Sequence, residues 1–89
     1  MELRGKKVIV TGGVRGLGRG FVEALISKEA LVTVFDINPQ GLAELRERHP
    51  GVTCFECDVA NYEQVVEVTA RYHTELKSAD VLINNAGIL

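Results

Sequence analysis

The chain has 89 residues, 46% hydrophobic and 25% charged, with a formal net charge of −2, which bounds it to one domain of ordinary soluble composition. That charge is small and of the wrong sign for a nucleic-acid binder, and no block of Lys and Arg offsets it. No apolar run approaches the roughly 18 residues of a membrane span, and Met1-Glu2-Leu3-Arg4-Gly5-Lys6-Lys7 lacks a secretory apolar segment, so the cytoplasm is the expected compartment.

The first expected element is a strand over about Lys7 to Thr11, followed by Gly12, Gly13, Gly16 and Gly18. A helix is expected from about Leu17 to Lys28. There Leu17, Phe21, Leu25 and Val22, Ile26 recur at i, i+4 spacing and make one apolar face. Strand, glycine turn, helix is the context in which a glycine cluster holds phosphate rather than forming a flexible loop. Gly12 lets the chain turn sharply out of the strand. Gly16 lets a pyrophosphate approach the backbone, and Gly18 lets the helix pack closely on its strand. The helix start would turn unpaired N–H groups and a positive dipole end toward the anion. Arg15 and Arg19 flank the loop, either as solvated charge or as phosphate contacts.

Leu31-Val32-Thr33-Val34-Phe35 reads as a second strand ending at Asp36. That acid lies 20 positions beyond Gly16, where a carboxylate can accept hydrogen bonds from an adenosine ribose. Asn38-Pro39 reads as an N-cap and first helical position, Leu42 and Leu45 face inward, and His49-Pro50-Gly51 stops the helix, with His49 an exposed loop residue. A third strand, about Val52 to Glu56, leads to Asp58 and Val59. Cys54 and Cys57 lie within and at the end of this strand, not at a helix N-terminus, so they read as small buried packers. His49 and His73 do not complete a zinc site with them.

Asn61 with Gln64 matches a capping box, and Val65, Val68, Thr69, Tyr72 and Leu76 continue a helical stripe. Val81-Leu82-Ile83 is a continuous apolar run, expected of a fourth strand buried on both faces, and it leads into Asn84-Asn85-Ala86-Gly87. The alternation of strand and helix predicts an α/β fold, a Rossmann-type doubly wound parallel sheet of order 3-2-1-4, with a ligand crevice where the order reverses. The fourth strand would be an open apolar edge, a template for self-association.

Thr11-Gly12-x3-Gly16-x-Gly18, Asp36, Asp58-Val59 and Asn84-Asn85-Ala86-Gly87, in that order, resemble the first part of a short-chain dehydrogenase/reductase. Gly18-Arg19-Gly20-Phe21 and Phe55-Glu56-Cys57-Asp58-Val59-Ala60 are similar to the 15-hydroxyprostaglandin dehydrogenase branch of that family. The resemblance implies that residues 1–89 are a partial NAD(P)-binding Rossmann domain. Its cofactor contacts would be Gly12, Arg15, Gly16, Leu17, Gly18, Asp36, Ile37, Asp58, Val59 and Asn85. In such proteins the acid matching Asp58 bonds the adenine and the neighbour matching Val59 packs on its ring. Asp58 also reads as a turn aspartate capping its own backbone. Asn84 and Asn85 read equally as bridges between strands.

Asp36 implies NAD rather than NADP, since its charge would repel a 2′-phosphate. Arg15 argues the other way, because a basic residue just before Gly16 is common in NADP-using relatives, and the acid is given the greater weight. The family's catalytic Tyr-x3-Lys is expected beyond this stretch. Tyr62 and Tyr72 have Val66 and Leu76 at that spacing, so no catalytic residue is assigned and the 89 residues alone are expected to be inactive. A complete parent would transfer hydride between NAD and a secondary alcohol or ketone, its small-molecule substrate. The alternatives are a stand-alone nucleotide-binding or interaction module, or a non-functional fragment. Glu29 and Lys77 stand where the family commonly ends helices with glycine, at a cost on the order of 1 kcal/mol for a left-handed residue with a Cβ.

Overall fold

The computed structural model describes residues 2–85; Ala86 and Gly87 of the last motif lie outside them. The elements run β1 (Lys7–Thr11), α1 (Gly16–Ser27), β2 (Leu31–Asp36), α2 (Pro39–Arg48), β3 (Thr53–Glu56), α3 (Tyr62–Leu76) and β4 (Val81–Asn84). The four strands form one parallel sheet in the order β3-β2-β1-β4. This is the expected order, and it follows from right-handed crossovers that start next to β1 and move outward in both directions. Val10 pairs with Val34 on one side and with Ile83 on the other.

Alternation along the strands sends side chains to two separate cores. Val8, Val10, Val32 and Val34 point to one face, where Val22 and Leu25 of α1 and Leu42 and Leu45 of α2 cover them. Phe35 and Phe55, neighbours across β2 and β3, point to the other face and pack with Val68 and Tyr72 of α3. Their rings meet edge to face, 5.8 Å apart at 88°, the arrangement that a ring quadrupole favours. The Arg71 guanidinium closes this core from outside, 5.1 Å above the Phe55 ring.

Two expectations about burial need correction. The apolar face of α1 is narrower than its sequence suggests. Gly18, Val22 and Leu25 are buried, whereas Leu17 is 71% exposed and Phe21 is exposed too. Leu17 and Phe21 precede Gly18 and Val22 by one residue each, a rotation of about 100° around the helix, so only one of the two stripes can face the sheet. β4 is not buried on both faces: Val81 and Ile83 are half-buried, and Leu82 is 61% exposed. The aromatic cluster draws α3 over β2 and β3, leaving a hollow of about 380 Å³ edged by Ile9, Val65 and Leu82. Among the described residues β4 pairs with β1 alone, and no described helix is long and apolar enough to cross a membrane.

The helix starts are read correctly from sequence, with one change of partner. Asn38 Oδ1 accepts the Gly41 N–H at 3.0 Å ahead of Pro39. Asn61 Oδ1 accepts the Gln64 N–H at 3.1 Å. Gln64 does not reach back to the Asn61 N–H, as a capping box requires, because that group already donates to the Asp58 carbonyl. Gln64 Oε1 accepts the Asp58 N–H instead, at 2.9 Å. On the α3 stripe Thr69 is exposed, while Val68 and Tyr72 are buried. His49 is half-buried rather than free in its loop, with Nε2 3.6 Å from the Glu23 carboxylate.

Both helix ends flagged for their missing glycine carry a positive φ. At the end of α1, Ala30 donates to the Leu25 carbonyl and Glu29 to that of Ile26, with Glu29 at φ 64°. This is the Schellman closure, which wants glycine at that position. Lys77 is more strained. Its φ of 73° and ψ of −63°, with Ser78 N–H donating to the Leu76 carbonyl at 2.9 Å, define the rarer and costlier γ-turn. The carbonyls of this turn are held from outside: Lys7 Nζ donates to Leu76, His73 Nδ1–H to Lys77 and the Tyr72 hydroxyl to Ser78. Lys77→Gly is therefore expected to raise stability by about 1–2 kcal/mol. Glu29→Gly should gain less, because it also gives up the exposed ion pair with Arg4, worth at most about 1 kcal/mol. Urea denaturation of the two variants checks both sign and order.

Candidate functional site: a cleft at the carboxyl edge of the sheet

Parallel strands bring their carboxyl ends to one edge, so Thr11, Asp36, Glu56 and Asn84 end side by side. A cleft of about 360 Å³ opens there, within the size range of small-molecule sites. Seven residues expected at a cofactor line it: Gly12, Arg15, Asp36, Ile37, Asp58, Val59 and Asn85. Gly16, Leu17 and Gly18 do not line it; they form the first turn of α1 beside it.

β1 breaks at Gly12, whose φ is 71°, a conformation in which a Cβ would crowd the following carbonyl. The Gly12 N–H donates across to the Phe35 carbonyl at 2.8 Å, so the turn stays tied to β2. The Gly12 carbonyl accepts from Asn85 Nδ2 at 3.0 Å. Asn84 Oδ1 accepts from the Thr11 hydroxyl, and the Asn85 N–H donates to that same hydroxyl oxygen, both at 3.0 Å. Both asparagines thus bridge β4 to β1, and Asn85 also stands on the cleft wall. Gly18 lies against this junction. A Cβ there would overlap the Gly12 carbonyl oxygen and come 2.6 Å from Asn85 Nδ2.

α1 differs from the other two helices at its start. α2 and α3 are capped by Asn38 and Asn61, but Arg15, at the N-cap of α1, makes no side-chain cap; like α2, α1 has no acid in its first turn. First-turn N–H groups need acceptors, and with the helix dipole they suit an anion. A pyrophosphate fits this loop on that ground.

The Asp36 carboxylate sits where β2 ends. Oδ1 accepts the Asn38 N–H at 2.9 Å and Oδ2 accepts the Val14 N–H at 3.4 Å. The second contact is long, so Oδ2 keeps acceptor capacity toward the cleft. Ile37, next in sequence, stands 62% exposed on the rim. Asp58 Oδ1 accepts the Ala60 N–H at 3.0 Å, as a turn aspartate does. It lines the cleft as well, so neither of its two roles excludes the other. Arg15 is exposed beside the loop, whereas Arg19 is engaged with Val14, Glu23 and Glu44. Its hydrogen bond holds the Glu44 carboxyl below the ordinary carboxylate range. Burial pushes both the Cys54 and the Cys57 thiol up, which suits packing rather than redox chemistry.

Val14 escaped the sequence reading. It is 4% exposed, and its side chain presses on Gly41 of α2, where a Cβ would come 2.7 Å from Val14 Cγ2. A glycine in the first turn of a helix, a position where it has no propensity advantage, was the available signal.

A family model described as "short chain dehydrogenase" matches residues 6–89. The chain is 38% identical to the 15-hydroxyprostaglandin dehydrogenase [NAD(+)] of Bos taurus, over 99% of this chain and 35% of that protein. It is 37% identical to the cis-2,3-dihydrobiphenyl-2,3-diol dehydrogenase of Paraburkholderia xenovorans, over 99% of this chain and 32% of that one. A solved short-chain dehydrogenase from Streptomyces avermitilis superposes with a TM-score of 0.86 at 30% identity, covering 93% of this chain and 31% of the other. The chain thus spans about a third of the length of the relatives it matches. With its strand order, its glycine bend and a family match from residue 6 to residue 89, the chain belongs to the short-chain dehydrogenase family.

Proposed function

We propose that residues 1–89 hold the adenosine and pyrophosphate part of NAD for an oxidoreductase that moves hydride between NAD and a secondary alcohol or ketone. The observation that carries this is the Asp36 carboxylate, set between the glycine loop and Ile37 with an acceptor oxygen toward the cleft. A ribose diol can donate to that oxygen, and a 2′-phosphate would meet like charge. The uncapped start of α1 would take the pyrophosphate, with Gly18 keeping the helix close enough to do so. Ile37 and Val59 offer apolar surface to the adenine, and Asp58 an acceptor to its amino group. NAD supplies hydride acceptance; these residues bind and orient it. The name of the 38% identical bovine relative specifies NAD(+) and supports the same choice.

The acid–base chemistry, in this reading, comes from outside residues 1–89. Tyr72 is buried with its hydroxyl committed to the Ser78 carbonyl, and Tyr62 is exposed on α3 far in sequence from any matching lysine. The edge of β4 that is unpaired among the described residues would pair with further chain or with a second copy. Titration of the chain with NAD and NADP, read by thermal shift, tests the cofactor assignment. NAD should raise the melting temperature at lower concentration than NADP, and the reverse order would overturn the assignment.

A further inference from the structure

The Val14 peptide is gripped on every side. Its N–H donates to Asp36, its carbonyl accepts from Arg19 Nη1 at 2.9 Å, and its side chain is wedged on Gly41. Arg19 can do this because it is itself immobilised. The same Nη1 donates to Glu44 Oε1 at 2.9 Å and Nε donates to Glu23 Oε2 at 3.1 Å, and the side chain is only 16% accessible. Glu44 is held in turn by Arg48 at 3.0 Å. The guanidinium thus joins the glycine loop, α1 and α2 through one planar group.

Peptide planarity gives this grip a consequence one atom further on. Among the described residues no peptide bond is cis. Turning the Val14 carbonyl toward Arg19 therefore turns the Arg15 N–H, at the other end of the same trans unit, the opposite way. Arg15 is the N-cap of α1 and lines the cleft. We propose that Arg19 is a positioning residue, which clamps the Val14 carbonyl so that the Arg15 N–H and the first turn of α1 are aimed at a pyrophosphate. This rests on the nucleotide reading given above. Arg19 touches no ligand; it acts through the loop.

The test compares ADP with adenosine, since only ADP carries the diphosphate that the loop would hold. Arg19→Ala should weaken ADP about tenfold, which is one hydrogen bond's worth at about 1.4 kcal/mol, and leave adenosine within about twofold of the original. Arg19→Lys keeps a donor and should recover part of the loss. Arg4→Ala, which breaks the exposed ion pair to Glu29 outside this network, should leave both affinities unchanged. Equal weakening of ADP and adenosine by Arg19→Lys, a variant that keeps the charge and the fold, would reduce Arg19 to a structural brace and overturn the inference. Unchanged ADP affinity in Arg19→Ala would overturn it too. If the unaltered chain bound neither ligand, the nucleotide reading itself would fall, an outcome distinct from both.

Discussion

Gly18→Ala is expected to destabilise the chain by about 3 kcal/mol or more and to abolish nucleotide binding. The added methyl would overlap a backbone carbonyl, that of Gly12, and crowd the Asn85 amide at 2.6 Å. Neither neighbour is free to yield. Gly12 is tied to Phe35 through its N–H and to Asn85 through its carbonyl, and Asn85 is tied to Thr11. Relief requires α1 to lift off the sheet, which opens the valine core beneath Val22 and Leu25 and moves the helix start from the cleft. Against a total stability of about 4–13 kcal/mol for a chain of this size, that is a large fraction. Gly20→Ala is the control on the same helix. Its Cβ would meet nothing within 4 Å, so replacing glycine in a helix should stabilise by about 0.5–1 kcal/mol. Urea midpoints of the two variants should therefore move in opposite directions. A Gly18→Ala chain as stable as the original would refute the close-approach role.

Most of the architecture was legible because local and long-range signals agree. β-branched runs bounded by glycine or acid mark β1 and β2, Asn38-Pro39 opens α2 with a cap and a fixed φ, and right-handed crossovers leave one strand order. The residues misjudged are those whose environment is set from a distance. Periodicity says that α1 is amphipathic, yet the choice between the Leu17–Phe21 and Gly18–Val22 stripes is made at a distance: the Gly12 carbonyl and Asn85 leave no room for a side chain at the first position, and Val22 packs into the valine core of the sheet. The burial of β4 depends on how far α3 reaches, and Phe35 and Phe55 decide that. Of the site, Asp36 and the glycines could be placed by spacing from the end of a strand. Val14 and Arg19 could not, since their partners Gly41 and Glu44 lie on a different helix. What spacing cannot encode is which peptide a side chain will grip once two helices meet.

Asp36→Asn should weaken NAD about 10-fold or more and relax the discrimination against NADP. Hydrogen bonds to a charged group are worth about 1.5–3 kcal/mol, and the substitution keeps shape while removing charge. Asn38 would still have a carbonyl acceptor for its N–H, so the turn after β2 survives. Asp36→Ala should cost more, because it strips the partner from both the Asn38 and the Val14 N–H groups and so loosens the phosphate loop as well as the ribose contact. The two variants separate the jobs that one carboxylate performs. Loss of charge changes the ratio of NAD to NADP affinity and weakens ADP as it weakens NAD, since both carry the same ribose; loss of the acceptor lowers the affinity for ADP further, through the phosphate loop. Arg15 sharpens the comparison, since it is exposed at the same cleft. With Asp36 neutralised, its positive charge is left to attract a 2′-phosphate, so Asp36→Asn should bring NADP binding up toward that of NAD. Adding Arg15→Ala should take that gain away again. Isothermal titration of the single and double variants reads each step. An unchanged NAD-to-NADP ratio in Asp36→Asn would show that the carboxylate serves the turn alone, and selectivity would then have to be set by groups other than Asp36.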